Sequence, residues 1–132
     1  MARMLNDKPC EVTFLDKISD SKITLFYRLP TTEERIKYTN AQFTRRANKV
    51  ESHIGEARQK YGLAILLGFK EGAFETDKGL ISSDPQSPKY EPEWKEVVKK
   101  YAPDIIEMLA LHAYDYSVVT HTPENDSEED PS

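Results

Sequence analysis

Along EVTFLDKISDSKITLFYRL, bulky apolar residues recur at every second position: Val12 and Phe14, then Ile23, Leu25 and Tyr27. A period of two places successive side chains on opposite sides of an extended chain, so the stretch predicts two strands joined through Ser19, Asp20 and Ser21. A two-stranded hairpin alone is marginal in water, and one of its faces must pack on another element. Leu15, Phe26 and Arg28 make the opposite faces bulky as well. That predicts a helix against one side and further cover, a partner included, on the other.

The period changes at RLPTTEERIKY. Pro30 stops the strand, and Thr31 with Glu34 three residues on forms a capping box, which satisfies two orphan amide donors at a helix start. Beyond it, Phe43, Ala47, Val50, Ile54, Ala57, Tyr61 and Ala64 follow one another at spacings of 4, 3, 4, 3, 4 and 3 residues. This spacing predicts one long helix with a narrow heptad-like stripe, turning apolar on all sides in LAILLGF as it enters the interior. Gly55 and Gly62 lie beside the stripe. Each costs about 1 kcal/mol against alanine in a helix, which is tolerated where a backbone crosses closely or the helix bends. Gly68 or Gly72 is the expected helix cap.

From about residue 73 to 91 the chain is rich in Pro, Ser, Asp and Gly and has no sustained period. A connection of that length is either a surface connector or a binding element. EPEWKEVVKKYAPD then predicts a short helix, with Pro92 in its first turn and Glu91 and Glu93 at its positive end. Pro103 ends it and opens an amphipathic helix on which Ile105, Leu109, His112, Tyr116 and Val119 form the stripe. The fold class that follows is α+β, mainly α: an N-terminal β-hairpin packed on a bundle of three or four helices. The domain covers 1–121, and 122–132 is an acidic tail with nothing apolar to bury, expected to be disordered.

Charge changes this picture only by its distribution. The net charge is −5, with 23 acids and 18 bases, and five of the acids (Glu124, Asp126, Glu128, Glu129 and Asp130) sit in the tail. The remainder is neutral, whereas nucleic-acid-binding domains usually carry a net basic footprint. Between Glu33 and Lys60 there are seven bases and four acids, with Arg45, Arg46 and Lys49 clustered. Such a cluster can grip phosphates, and an ordinary solvated helix face has the same composition. No run of 18 apolar residues occurs, and MARMLNDKPCEV lacks the apolar core of a signal peptide, so a cytoplasmic protein with no membrane contact is expected. The only cysteine, Cys10, cannot form an internal disulfide and reads as a small packed hydrophobe.

Motifs for chemistry are missing. His53, His112 and His121 have no metal-ligand spacing, GFKEG is a helix-end pattern rather than a phosphate loop, and no nucleophile motif appears. Glu107, between Ile106 and Met108, is the carboxylate nearest to apolar neighbours, and periodicity places it on the solvated side. No catalytic residue, metal or cofactor is expected. The stripe is the candidate site: a helix of that length offers more apolar surface than one hairpin and two short helices can cover. Phe43, Ala47, Val50, Ile54, Ala57 and Tyr61 are therefore candidate partner-binding positions, for a helical protein or a second copy.

KITLFYRLPTTEERIKYTNA resembles the opening of small tail assembly chaperones of tailed bacteriophages. There, a strand ending in a basic residue passes through a Pro- or Thr-rich cap into an acidic helix start. The matching residues run from Leu25 to Glu34, and the likeness covers the first half of the chain. The resemblance implies a non-enzymatic protein that binds the long helical tape measure protein in the host cytoplasm and keeps it soluble during tail assembly. It carries over no catalytic residues and no binding motif. Two other readings stand beside it: a small nucleic-acid-associated protein using Arg45, Arg46 and Lys49, and a structural or connector subunit of the phage particle.

Overall fold

A computed structural model describes residues 2–118. The expected acidic tail, with Val119 and His121 before it, lies outside the described residues. Strand β1 (Cys10–Asp16) pairs antiparallel with β2 (Ser21–Tyr27), Cys10 opposite Tyr27 and Asp16 opposite Ser21. The alternation decides the buried face. Ile23, Leu25 and Tyr27 are in the core, and Cys10, Val12 and Phe14 pack against it half-buried. The Asp16 carboxylate accepts the Ile18 and Ser19 amides and the Ser19 hydroxyl, which closes the turn.

Helix α1 (Thr32–Ala41) starts in the predicted capping box: Thr31 Oγ1 accepts the Glu34 amide at 3.1 Å and Glu34 Oε1 accepts the Thr31 amide at 2.9 Å. The helix ends at Ala41, and this corrects the long helix expected from the stripe. Strands β3 (Phe43–Arg46) and β4 (Lys49–Ser52) form a second hairpin, closed at its base by the His53 amide donating to the Gln42 carbonyl at 2.7 Å. Helix α2 (Ile54–Ile65) begins only beyond it. One apolar residue per turn gives a helix too little to bury, and helices are held mainly by tertiary packing. Phe43, Thr44 and Val50 are strand-favouring residues around an Ala-Asn turn.

A second correction follows at LLGF. Leu66 turns extended, with ψ 118°, and β5 (Leu66–Phe69) pairs antiparallel with β2, giving the sheet order β1-β2-β5. The second edge of β2 is thus covered by the chain itself. A short apolar run does not distinguish helix from strand. Gly68 lies within this strand and caps nothing: a Cβ there would sit 2.7 Å from Ser83 Oγ, the hydroxyl that receives the Phe69 amide at 2.9 Å. Gly72, at φ 88°, lies in the turn that follows.

The 73–91 segment is built rather than slack. It holds a short hairpin, β6 (Glu75–Thr76) with β7 (Gly79–Leu80), and buries Ile81 and Ser82, whose backbone pairs with Lys89 and Glu91. Helix α3 (Trp94–Tyr101) gives way to α4 (Pro103–Ala110), which runs on into a π turn over Leu111–Asp115. α2 packs across α4. At the crossing, a Cβ on Gly62 would lie 2.8 Å from the Ile106 carbonyl oxygen, so Gly62 marks the close approach, while Gly55 faces open space. Ile65, Leu66, Ile106 and Leu109 complete the core beneath the sheet. The α+β class with an N-terminal hairpin on helices holds.

Candidate partner-binding surfaces

The six stripe residues do not share a surface. Phe43 and Val50 stand on one face of the β3–β4 hairpin, with 50% and 61% of their surface exposed, and Ala47 occupies its turn at φ 53°. Ile54 is half-buried at the start of α2, and Ala57 is inside the core. Tyr61 is half-buried among rings, edge-on to Tyr38 and Tyr114, whose hydroxyl donates to the Tyr61 carbonyl at 3.1 Å. The stripe is therefore split between an exposed arm and interior packing.

All eight strand residues of that arm are exposed. Arg46 lies directly opposite Lys49, and Arg45 opposite Val50, so the three cations gather around the tip. Like charges facing each other across a hairpin are destabilising. None of the three forms an ion pair among the described residues. Arg58, further along the same basic stretch, is spent elsewhere: it bonds Glu107 at 3.1 Å between α2 and α4. Glu107 is accordingly half-buried and paired, which corrects its expected solvation.

A groove of about 650 Å³ opens between the β1–β2 turn, the β6–β7 segment and helices α3 and α4. Ile23, Ile81, Val98 and Ile105 form its floor, and Phe74 and Val97 flank them. Ile18 and Tyr101 stand at its edges, 88% and 73% exposed. Its rim carries Asp16, Glu75, Asp77 and Asp104, and no lysine, arginine or histidine lines it. The Ser19 hydroxyl and the Ile18 amide hold the Asp16 carboxylate below its ordinary range. Periodicity could not find this site, because its acids come from three separate segments and meet only after folding. The one legible signal was the long 73–91 connection, which supplies Glu75, Asp77 and Ile81.

Other charged and polar groups serve the fold. Arg28 grips Glu34 with two guanidinium bonds of 2.6 and 2.8 Å, tying the end of β2 to the start of α1 and depressing Glu34 to about 2. Tyr38 stacks on Tyr114 at 4.4 Å and donates to Asp115 at 2.7 Å; burial, then this bond, raises its phenol to about 12. His112 packs edge-on against Phe14 and Tyr27 as a boundary residue. Among the described residues no group of three or more His, Cys, Asp or Glu is gathered for a metal, and no helix is long and apolar enough to cross a membrane. Compared with protein-family models, curated proteins and solved structures, the chain matches none.

Proposed function

We propose that the protein is a non-enzymatic binding module of assembly-chaperone type, which holds an amphipathic segment of a partner protein in the acidic-rimmed groove. The observation that carries the reading is the groove itself. An apolar floor accepts a partner's apolar side chains, and Ile18 and Tyr101 extend it as an exposed surface beyond a closed ligand chamber. The carboxylates on the rim select a segment with basic flanks and orient it. The resemblance of KITLFYRLPTTEERIKYTNA to tail assembly chaperones supplies the partner: the helical tape measure protein, kept soluble in the host cytoplasm until tube subunits enclose it.

The test is co-expression with a tape measure protein of a tailed bacteriophage. Wild-type protein should keep that partner in the soluble fraction and be captured with it, and Ile18→Asp with Tyr101→Asp should lose both effects while remaining folded. A partner that stays insoluble, or capture indifferent to the two substitutions, overturns the reading. The arm favours a second one. A two-stranded ribbon fits the major groove of DNA, and Arg45, Arg46 and Lys49 surround the tip of this one. That reading requires retention on DNA with a salt slope of about −3, abolished by Arg45→Ala with Arg46→Ala.

A further inference from the structure

We propose that the groove also receives the arm of a second copy of this chain, so that protein without a partner associates head to tail through its own docking site. This rests on the groove being that docking site. The two surfaces are complementary. Arg45, Arg46 and Lys49 have no ion-pair partner among the described residues, and neither do Glu75, Asp77 and Asp104 on the rim. Three unpaired cations at a ribbon tip thus face a rim of four carboxylates, Asp16 included, around an apolar floor. Arg45, opposite Val50, shares the face that carries Phe43 and Val50.

Shape agrees with charge. Four-residue strands extend about 14 Å. Phe43 and Val50, on one face of the arm, then meet the exposed Ile18 and Tyr101. No arm residue lines the groove of its own chain, so the occupant comes from another molecule. The acidic 122–132 segment carries the sign of charge that the rim repels. A reciprocal exchange of arms closes at two copies, whereas the head-to-tail contact proposed here leaves one free arm and one free groove and grows further.

Sedimentation velocity of the full chain tests this. At low salt the wild type should grow beyond a dimer as concentration rises, and should return to monomer at about 0.5 M salt, where the screening length falls to a few ångströms. The arm variant Arg45→Ala/Arg46→Ala/Lys49→Ala and the groove variant Glu75→Lys/Asp77→Lys should each be monomeric, with association weakened about tenfold or more. Mixed together, they should form a 1:1 pair and nothing larger, because each supplies the half that the other lacks. A wild type that stays monomeric, association that survives either variant, or a mixture that forms no pair overturns the proposal. The two readings fail separately. Partner capture by a strictly monomeric wild type defeats only the self-association. A groove variant that loses association yet still captures the tape measure protein defeats the docking site.

Discussion

Replacing Gly62 by alanine sets two effects of known size against each other. In an unobstructed helix interior the change stabilises by about 1 kcal/mol, since glycine loses more backbone freedom on folding. At Gly62 the added Cβ would lie 2.8 Å from the Ile106 carbonyl oxygen, 3.0 Å from Ile106 Cγ2 and 3.3 Å from the Ala110 Cβ. The side-chain contacts can adjust, but the carbonyl belongs to the backbone of α4 and cannot rotate away. α4 has to retreat by about half an ångström, and overpacking of this kind costs about 1–3 kcal/mol. The retreat also strains the Arg58–Glu107 bond and the 2.7 Å bond from Gln59 to the Pro103 carbonyl, which join the same two helices. The expected net loss for Gly62→Ala is about 0–2 kcal/mol. Gly55→Ala, with nothing within 4 Å, is the control and should gain part of the helix term. At about 4 °C per kcal/mol for a chain of this size, the two variants should melt several degrees apart, measured by circular dichroism with urea titration alongside. A Gly62→Ala protein as stable as Gly55→Ala would refute the close crossing of α2 on α4.

Three further outcomes follow from named contacts. Glu34 is depressed from 4.5 to about 2, so its pairing stabilises the fold fully above pH 4.5 and loses this effect as pH falls toward 2. Arg28 is 38% exposed, so screening reduces the contribution implied by that shift; Glu34→Gln should cost about 1–2 kcal/mol at pH 7 and nothing near pH 2 in urea titrations. Ala47 sits in the left-handed region at φ 53°, and Ala47→Gly should raise the melting temperature by the equivalent of about 0.5–1 kcal/mol, whereas Ala47→Val should lower it. Tyr38→Phe removes the bond to Asp115, which should cost about 1 kcal/mol, and should delete the phenol ionisation near pH 12 from an ultraviolet titration.

The first hairpin, the capping box and the Pro103 boundary were legible because each is a local device: period-two burial, a side chain three residues from its amide, a ring that cannot continue a helix. Glycine's cost in a helix marked Gly55 and Gly62 as sites of which one should show a bend or a close crossing, and only packing against Ile106 singles out Gly62. The arm was misread for a physical reason. Residues spaced at three and four in FTRRANKVES are as consistent with a hairpin whose two strands place Phe43 and Val50 on one face. Nothing in the sequence weighs the narrow stripe against the turn at Ala47. LLGF failed likewise, because the pairing that makes it a strand is with Leu25 to Tyr27, some forty residues earlier. The groove was invisible for a stronger version of that reason, as its parts are contributed by both ends of the fold.

Zero net charge over the body of the chain conceals a segregated arrangement, and this bears directly on what the surfaces can do. Three cations lie together on an exposed arm, and four carboxylates lie around an apolar floor, none of them in an ion pair among the described residues. Interspersed charges of both signs would give a surface indifferent to its surroundings. Separated ones create two attachment points of opposite sign, each paired with exposed apolar side chains that supply the short-range affinity. A partner segment entering the groove must therefore carry basic charge around an apolar face, as the arm does, and must bind more strongly than the arm at the prevailing protein concentration. If the proposed self-association holds, the arm competes with the partner for the groove. Removing its charges should increase the apparent affinity for the proposed partner, whereas a direct role of the arm in partner binding would decrease it, and capture by the Arg45→Ala/Arg46→Ala/Lys49→Ala variant decides between the two.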